Sequence, residues 1–174
     1  MKKPAISLFV FLTLTFAFPS CAGAAPAQDT APETGIAAET GMAADFSEAE
    51  GKEWVLSEIM RFREIVKIDR NALEAIGMGG AFTVSFQDGR VSGMGAPNRY
   101  FGPFSAGPDM TLNIGNLAST LMAAISEPEA LKEHEYFAYL SRTVRWDLHE
   151  GRLELYSANN DETVAVLVYE LQSR

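Results

Sequence analysis

The chain has 174 residues, 47% hydrophobic and 21% charged, with a single Cys and a formal net charge of -9. That length holds one ordinary domain plus a tail, and the average composition excludes a collagen-like, disulfide-dense or wholly disordered chain. A sequence pI near 4.7 argues against nucleic acid as a partner, because backbone phosphates would be repelled rather than neutralised.

The first 20 residues read as an export signal and are set aside from the fold. Lys2 and Lys3 supply the positive start, and Ala5–Phe18 runs 14 residues without a charge, within the ~7–15 of a signal-peptide apolar region. A permanent span needs about 20 apolar residues, so the stretch is too short to be one. Phe18-Pro19-Ser20-Cys21 resembles the lipobox of bacterial lipoproteins, with a small residue before the Cys that takes the lipid; Phe18 and Pro19 depart from the usual pattern. The rival reading is cleavage after Ala22-Gly23-Ala24 and release as a soluble secreted protein. Lipidation explains why the one Cys stands at the end of the apolar run, so the expected partner is a membrane, held through lipid on Cys21.

Residues 21–50 then read as lipid anchor and acidic tether. Asp29, Glu33, Glu39, Asp45, Glu48 and Glu50 are unopposed by any Lys or Arg. Rich in Ala, Thr, Pro and Gly, the stretch lacks the apolar surface to offset its ordering entropy. Residues 51–174 are the expected folded unit.

Within that unit, Trp54–Ile59 and Ile65–Ile68 read as strands. Asn71–Ile76 reads as a helical turn ended by Gly77-Met78-Gly79-Gly80. Phe82–Phe86 alternates with period two and turns through Gln87-Asp88-Gly89-Arg90, where Asp-Gly accepts the positive φ of a tight hairpin, into Arg90–Met94. Asn98–Phe104 reads as a Gly/Pro-rich loop, and Met110–Ile114 as a short strand. A helix is expected to open at Glu127-Pro128 and to carry Leu131, Phe137, Leu140 and Val144 on one face. Val144–Leu148, Arg152–Tyr156 and Val164–Tyr169 complete a meander turning at His149-Glu150-Gly151 and Asn159-Asn160-Asp161. The expectation is α+β: six or seven strands in a mostly antiparallel curved sheet or open barrel, with one main helix packed against it.

Trp54-x-Leu56, Thr83-x-Ser85-Phe86-x-Asp88-Gly89-Arg90-Val91-Ser92-Gly93, Asn98-Arg99-Tyr100-x-Gly102-x-Phe104, Leu117–Ala124 and Gly151-x-Leu153-x-Leu155 follow one another in order. Over about residues 53–171 this series resembles the META domain family, the HslJ-like heat-shock lipoproteins of the bacterial envelope. The resemblance implies a small exported or lipid-anchored β-rich domain around a helix, without enzymatic activity. Family members commonly carry Cys before the Asn-Arg motif and after Met-Ala. Pro97 and Ala124 stand there in this chain, which implies a lost disulfide, worth roughly 2–4 kcal/mol where present. It also implies that the Pro97 and Ala124 segments lie side by side.

No residue pattern argues for an enzyme, a metal or a cofactor. His134 lies between Glu133 and Glu135, but neighbours one apart on a helix diverge, so the trio reads as a solvated face. The candidate interaction residues are Asn98, Arg99 and Tyr100. Arg and Tyr in such a loop suit a protein-binding anchor, while the structural reading has Asn98 capping the loop and Tyr100 filling the barrel mouth. The expected function is non-catalytic support of envelope integrity under stress, facing the periplasm from the outer membrane, through a protein or envelope partner. The alternative is a carrier for a small hydrophobic ligand inside the barrel.

Overall fold

The computed structural model describes residues 45–160 and 162–172. The chain opens with a 3-10 turn, Phe46–Glu48, whose start is capped by the Asp45 carboxylate accepting from the Ser47 N–H at 3.1 Å. β1 (Glu53–Arg61) and β2 (Glu64–Lys67) form a hairpin, and α1 (Arg70–Ala75) follows. Then come β3 (Thr83–Gln87), β4 (Arg90–Met94), β5 (Arg99–Ala106), β6 (Leu112–Ile114) and β7 (Ala118–Ser119). The main helix α2 (Glu133–Ser141) precedes the meander β8 (Thr143–His149), β9 (Arg152–Asn159) and β10 (Glu162–Leu171).

The strands pair antiparallel in the order β6-β5-β4-β3-β1-β10-β9-β8, with β2 added to β1 and β7 to β5. The sheet curls into a nearly closed barrel with one unsealed seam, between β6 and β8. The expected α+β class and antiparallel barrel with one main helix are what the structure shows.

The hairpins follow from turn chemistry. Asp88-Gly89 and Glu150-Gly151 both take positive φ at the two central positions, as two-residue turns matched to strand twist require. β1 carries a bulge between Leu56 and Glu58, after which it pairs with β10 down to Arg61. The extra residue, Ser57, is tied by its hydroxyl to the Val168 carbonyl at 3.1 Å, and its own carbonyl accepts the Ile68 N–H at 2.8 Å.

Inward positions are large and dry: Trp54, Leu56, Phe82, Phe86, Leu153, Leu155 and Tyr169 are buried. α2 lays Tyr136 and Leu140 into one end of this core. The 3-10 turn closes the opposite end. Phe46 stacks edge-on to Phe86 at 5.1 Å and to Trp146 at 4.9 Å, and lies 5.4 Å from Phe104. That these are opposite ends follows from register, since Tyr100 and Phe104 are four residues apart on β5, as Thr83 and Phe86 are three apart on β3.

Four local expectations differ from what forms. The tether does not reach residue 50: Phe46 and Ala49 are buried, and the Ala49 carbonyl accepts the Trp54 indole N–H at 2.9 Å. Asn98–Phe104 is not a loop, because Arg99–Ala106 is β5, paired on both edges. The main helix starts at Glu133 rather than at Glu127-Pro128; Glu135 reaches back to accept the Lys132 N–H at 2.9 Å, which sets its first turn. Val144 belongs to β8, not to the helix. The described residues hold ten strands, β5 and β7 among them, rather than the six or seven expected.

Candidate functional site

Asn98 and Tyr100 point inward and Arg99 outward, as alternation along an extended chain dictates. Asn98, with 6% of its surface exposed, joins three segments. Its amide N–H groups donate to Glu133 Oε2 at 2.7 Å and to the Met122 carbonyl at 3.2 Å. Its amide oxygen accepts from the Met122 N–H at 2.7 Å and the Thr120 hydroxyl at 2.8 Å. Glu133 Oε1 in turn accepts the backbone N–H groups of Ala96 and Asn98, each at 2.6 Å. One carboxylate at the first turn of α2 therefore satisfies three donors, where the helix dipole also favours negative charge. The Ala96–Pro97 peptide is cis. Gly95 is required here, since a Cβ would fall 2.5 Å from Glu133 Oε1 and 2.7 Å from the Phe137 ring.

These bonds bring the Pro97 and Ala124 segments together through Asn98 and Met122, as the family resemblance implied. Residues 121–124 form neither helix nor strand.

Tyr100 continues inward into a group of phenols. Tyr100 and Tyr136 both donate to the Thr83 carbonyl, at 2.8 and 3.0 Å, and Tyr169 donates to the Tyr136 oxygen at 3.2 Å. Each phenolic proton thus has an acceptor. Burial pushes the Tyr136 hydroxyl up to about 12 against hydrogen bonds from its neighbours that pull it down, and pushes Tyr100 and Tyr169 well above their ordinary value. Gly93 makes room for the approach: a Cβ there would meet the Thr83 oxygen at 2.0 Å. It is a close-contact glycine inside β4.

Arg70 is a further polar anchor that the sequence reading missed. Its guanidinium donates to the carbonyls of Ala81 and Leu56, each at 2.5 Å, pinning α1 to β1 and the loop before β3. Glu133 and Glu135 correct the reading of Glu133-His134-Glu135 as a solvated face. Only His134 is exposed, while Glu135 pairs with Arg61 at 3.3 Å. The signal available in the sequence was acid in the first turn of a helix, but with the start misplaced the residues fell mid-helix.

On the outer surface, Arg99 and Phe101 project from β5, and the Arg90 guanidinium lies 5.2 Å from the Phe101 ring. β7 runs beside them, pairing Ala118 with Phe101 and Ser119 with Tyr100. The chain then leaves Leu121, Met122 and Ile125 exposed, at 98%, 62% and 105%. Cys21 lies outside the described residues. Among those described, no helix is long and apolar enough to cross a membrane.

The interior expected of a hydrophobic carrier is occupied by side chains, with Trp54, Tyr100, Tyr136, Tyr169, Phe82 and Phe86 among the largest fully buried. Outside it lies a cleft of about 610 Å³ between α1 and residues 126–130, floored by Ile68, Leu73, Phe82 and Pro128. A second groove, of about 420 Å³, opens at the seam between β6 and β8.

The META domain family model matches residues 44–169, and this chain belongs to that family. A solved protein from Burkholderia xenovorans is similar over 86% of this chain and 97% of its own, at 19% identity and a TM-score of 0.58. A DUF4847 family protein from Bacteroides vulgatus covers 74% of this chain and 98% of its own, at 15% identity and a TM-score of 0.52. At those identities the likeness is one of fold. A search of the curated proteins finds no match.

Proposed function

We propose, from the premise that this chain is a META domain, that it is an exported protein anchored by lipid on Cys21, which supports the cell envelope under stress by binding a partner rather than by catalysis. The observation that carries the reading is how its polar side chains are used. Asn98, Tyr100, Glu133, Tyr136 and Tyr169 satisfy one another and the backbone, so the best-built polar groups are committed to holding the fold. What remains outward is a face of Arg90, Arg99, Phe101, Leu121, Met122 and Ile125, which mixes exposed apolar side chains with Arg as interaction surfaces do. Of the three candidate residues Asn98, Arg99 and Tyr100, Arg99 would meet the partner, and the other two would position the strand that presents it. In this reading the domain faces the periplasm, and the outer membrane is the favoured residence because Ala22 follows the anchored Cys.

The test is complementation of cells lacking the protein, read as survival of heat and of a membrane-perturbing detergent. Wild-type chain should restore survival. Cys21→Ala and a Phe101→Asp/Leu121→Asp double variant should each fail while accumulating as folded protein. Full rescue by Cys21→Ala would remove the anchor from the mechanism, and full rescue by the double variant would remove the face. The mass of the mature chain, with lipid on Cys21 or with a start after Ala24, distinguishes anchoring from secretion directly.

A further inference from the structure

We propose that the open seam between β6 and β8 binds a short, extended, acidic segment of a partner polypeptide, whose backbone adds to the free edge of β6 and whose carboxylate meets Arg142. This deepens the interaction role proposed above and rests on it.

Backbone parity shows which groups face the seam. Gly107 donates to Thr111 at 3.0 Å and Gly115 to Pro103 at 2.9 Å, so the odd-numbered residues along β6 turn their backbone polar groups toward β5. The even-numbered Met110, Leu112 and Ile114 turn theirs toward β8. The first is answered and the second half answered: the antiparallel Thr111–Arg145 bridge is framed by the Trp146 N–H on the Met110 carbonyl at 2.9 Å and by the Leu112 N–H turned to the Val144 carbonyl. Past that bridge the two edges part. Leu112 and Ile114 bury their side chains in the core, and the Leu112 carbonyl and both backbone groups of Ile114 have no ladder partner on the β8 side among the described residues. Opposite them, β8 has a register shift between Thr143 and Arg145 that leaves Val144 unopposed on β9, with half its surface exposed.

The groove between the edges holds about 420 Å³ and is lined by Ser105, Leu112, Asn113, Arg142, Thr143 and Val144 among others, with no carboxylate in its wall. Unpaired strand edges take extended backbone, and the free β6 edge from the Leu112 carbonyl through Ile114, continued along the groove, suits a segment of about four to six residues at roughly 3.3 Å each.

Charge selects the kind of segment. In a chain of net charge -9, the groove presents Arg142, and the Arg145 guanidinium beside it sits over the Tyr156 ring, 3.8 Å from its centre. Neither guanidinium is in an ion pair among the described residues. The nearby Glu154 carboxylate accepts the Tyr156 hydroxyl at 2.6 Å. An acidic strand therefore gains a planar, bidentate donor that a neutral or basic strand does not use.

The piece from Asp45 to Arg174 holds every described element, and the likeness covers 98% of the Bacteroides vulgatus chain, so that piece serves for the test. The probes are capped hexapeptides: alternating Val and Asp, alternating Val and Lys, and the Val/Asp peptide with a central Pro that removes a backbone donor. Amide shifts of isotope-labelled protein report the site. The expected result is saturable shifts at Leu112, Ile114 and Val144 with the Val/Asp peptide, at least tenfold weaker for Arg142→Glu at unchanged thermal stability, and only partly restored by Arg142→Lys, which keeps the charge but not the fork. The proline peptide should bind at least tenfold more weakly than its parent. Equal binding of the lysine or proline peptide, or shifts confined elsewhere, overturns the proposal. Shifts of the same amides with protein concentration alone assign the edge to a second copy of this chain and overturn it as well. Failure at the seam leaves the Cys21 and Phe101/Leu121 readouts of the complementation test unchanged, so the two readings fail separately.

Discussion

The two sides of this barrel are closed by different physics. On one side β10 is hydrogen-bonded along both edges, to β1 from Trp54 through Arg61 and to β9 from Arg152 through Asn159. On the other, β6 and β8 meet at one bridge, and the contact between them is completed from inside by Phe46, whose ring lies between Phe104 of β5 and Trp146 of β8. A ladder spreads its stability over many backbone bonds, so no one side chain controls it. A seam held by a bridge and a plug concentrates its stability in the plug.

Phe46→Ala is therefore expected to have the largest effect. Loss of a buried phenylalanine with three aromatic neighbours costs about 3–5 kcal/mol. The loss should be uneven: hydrogen exchange of the Trp146 N–H should accelerate well beyond that of β10 amides such as Leu167. Uniform acceleration of both would show that the plug serves the whole core rather than the seam.

Next is Glu133→Ala, at the other end of the barrel. It strips the acceptor from the N–H groups of Ala96 and Asn98 and from the Asn98 amide, for an expected loss of about 2–4 kcal/mol. Glu133→Gln keeps one oxygen and should recover part of it. Chemical denaturation measures both, and a Glu133→Ala loss below that of Glu133→Gln would mean that burying the carboxylate costs more than its three bonds return.

How much of this was legible follows from the range of each signal. The hairpins at Asp88-Gly89 and Glu150-Gly151 are written in two adjacent residues, and the meander strands in their period-two alternation, so the class was readable. β5 was not, because Gly102 and Pro103 imitate a loop. In the fold Pro103 lies opposite Gly115, one residue past the end of β6, and forgoes only the last donor of that ladder. The start of α2 was misplaced because Lys132 is no capping residue, and Glu135 supplies the cap from inside the helix. Phe46 was hidden in an acidic stretch whose composition argues for a tether, and its burial depends on three rings distant in sequence. Of the candidate residues, Asn98 and Tyr100 carry structure that only long-range partners reveal: Glu133, Thr120, Tyr136 and Tyr169.

Tyr136→Phe tests the middle of the scale. It takes the acceptor from the buried Tyr169 hydroxyl and should cost about 1–3 kcal/mol, whereas Tyr169→Phe, which removes only a terminal donor, should cost about 1 kcal/mol. The phenols also set an alkaline limit. Their pKa values are raised in the folded state, so the unfolded chain loses protons first, near pH 10, and binds fewer above it. Stability is then full below pH 10 and falls as pH rises toward 12, where Tyr136 titrates, with Tyr100 and Tyr169 extending the fall further. Urea midpoints at pH 9 and 11 measure it. A Tyr136→Phe protein should show a shallower decline, and an unchanged slope would place the alkaline limit outside this cluster.

The smallest expected effect is the most discriminating for the surface. Arg99 is the residue between Asn98 and Tyr100, yet its side chain is exposed and joins neither of their hydrogen-bonded groups, so Arg99→Ala should move stability by no more than about 0.5 kcal/mol in either direction. Asn98→Ala, one position away, removes two accepted and two donated bonds and should cost about 2–3 kcal/mol. Because the backbone of Arg99 is held from both sides, by β4 and by the Thr120 hydroxyl that accepts its N–H at 3.2 Å, truncating its side chain leaves the strand in place. Any loss of complementation by Arg99→Ala at unchanged melting temperature then reports on the outer face alone. The same loss in Asn98→Ala would be ambiguous, since that residue sets the path of the strand on which Arg99 and Phe101 stand. If instead Arg99→Ala lowers stability as much as Asn98→Ala does, Arg99 is part of the scaffold, and the interaction surface shifts toward Phe101 and Leu121.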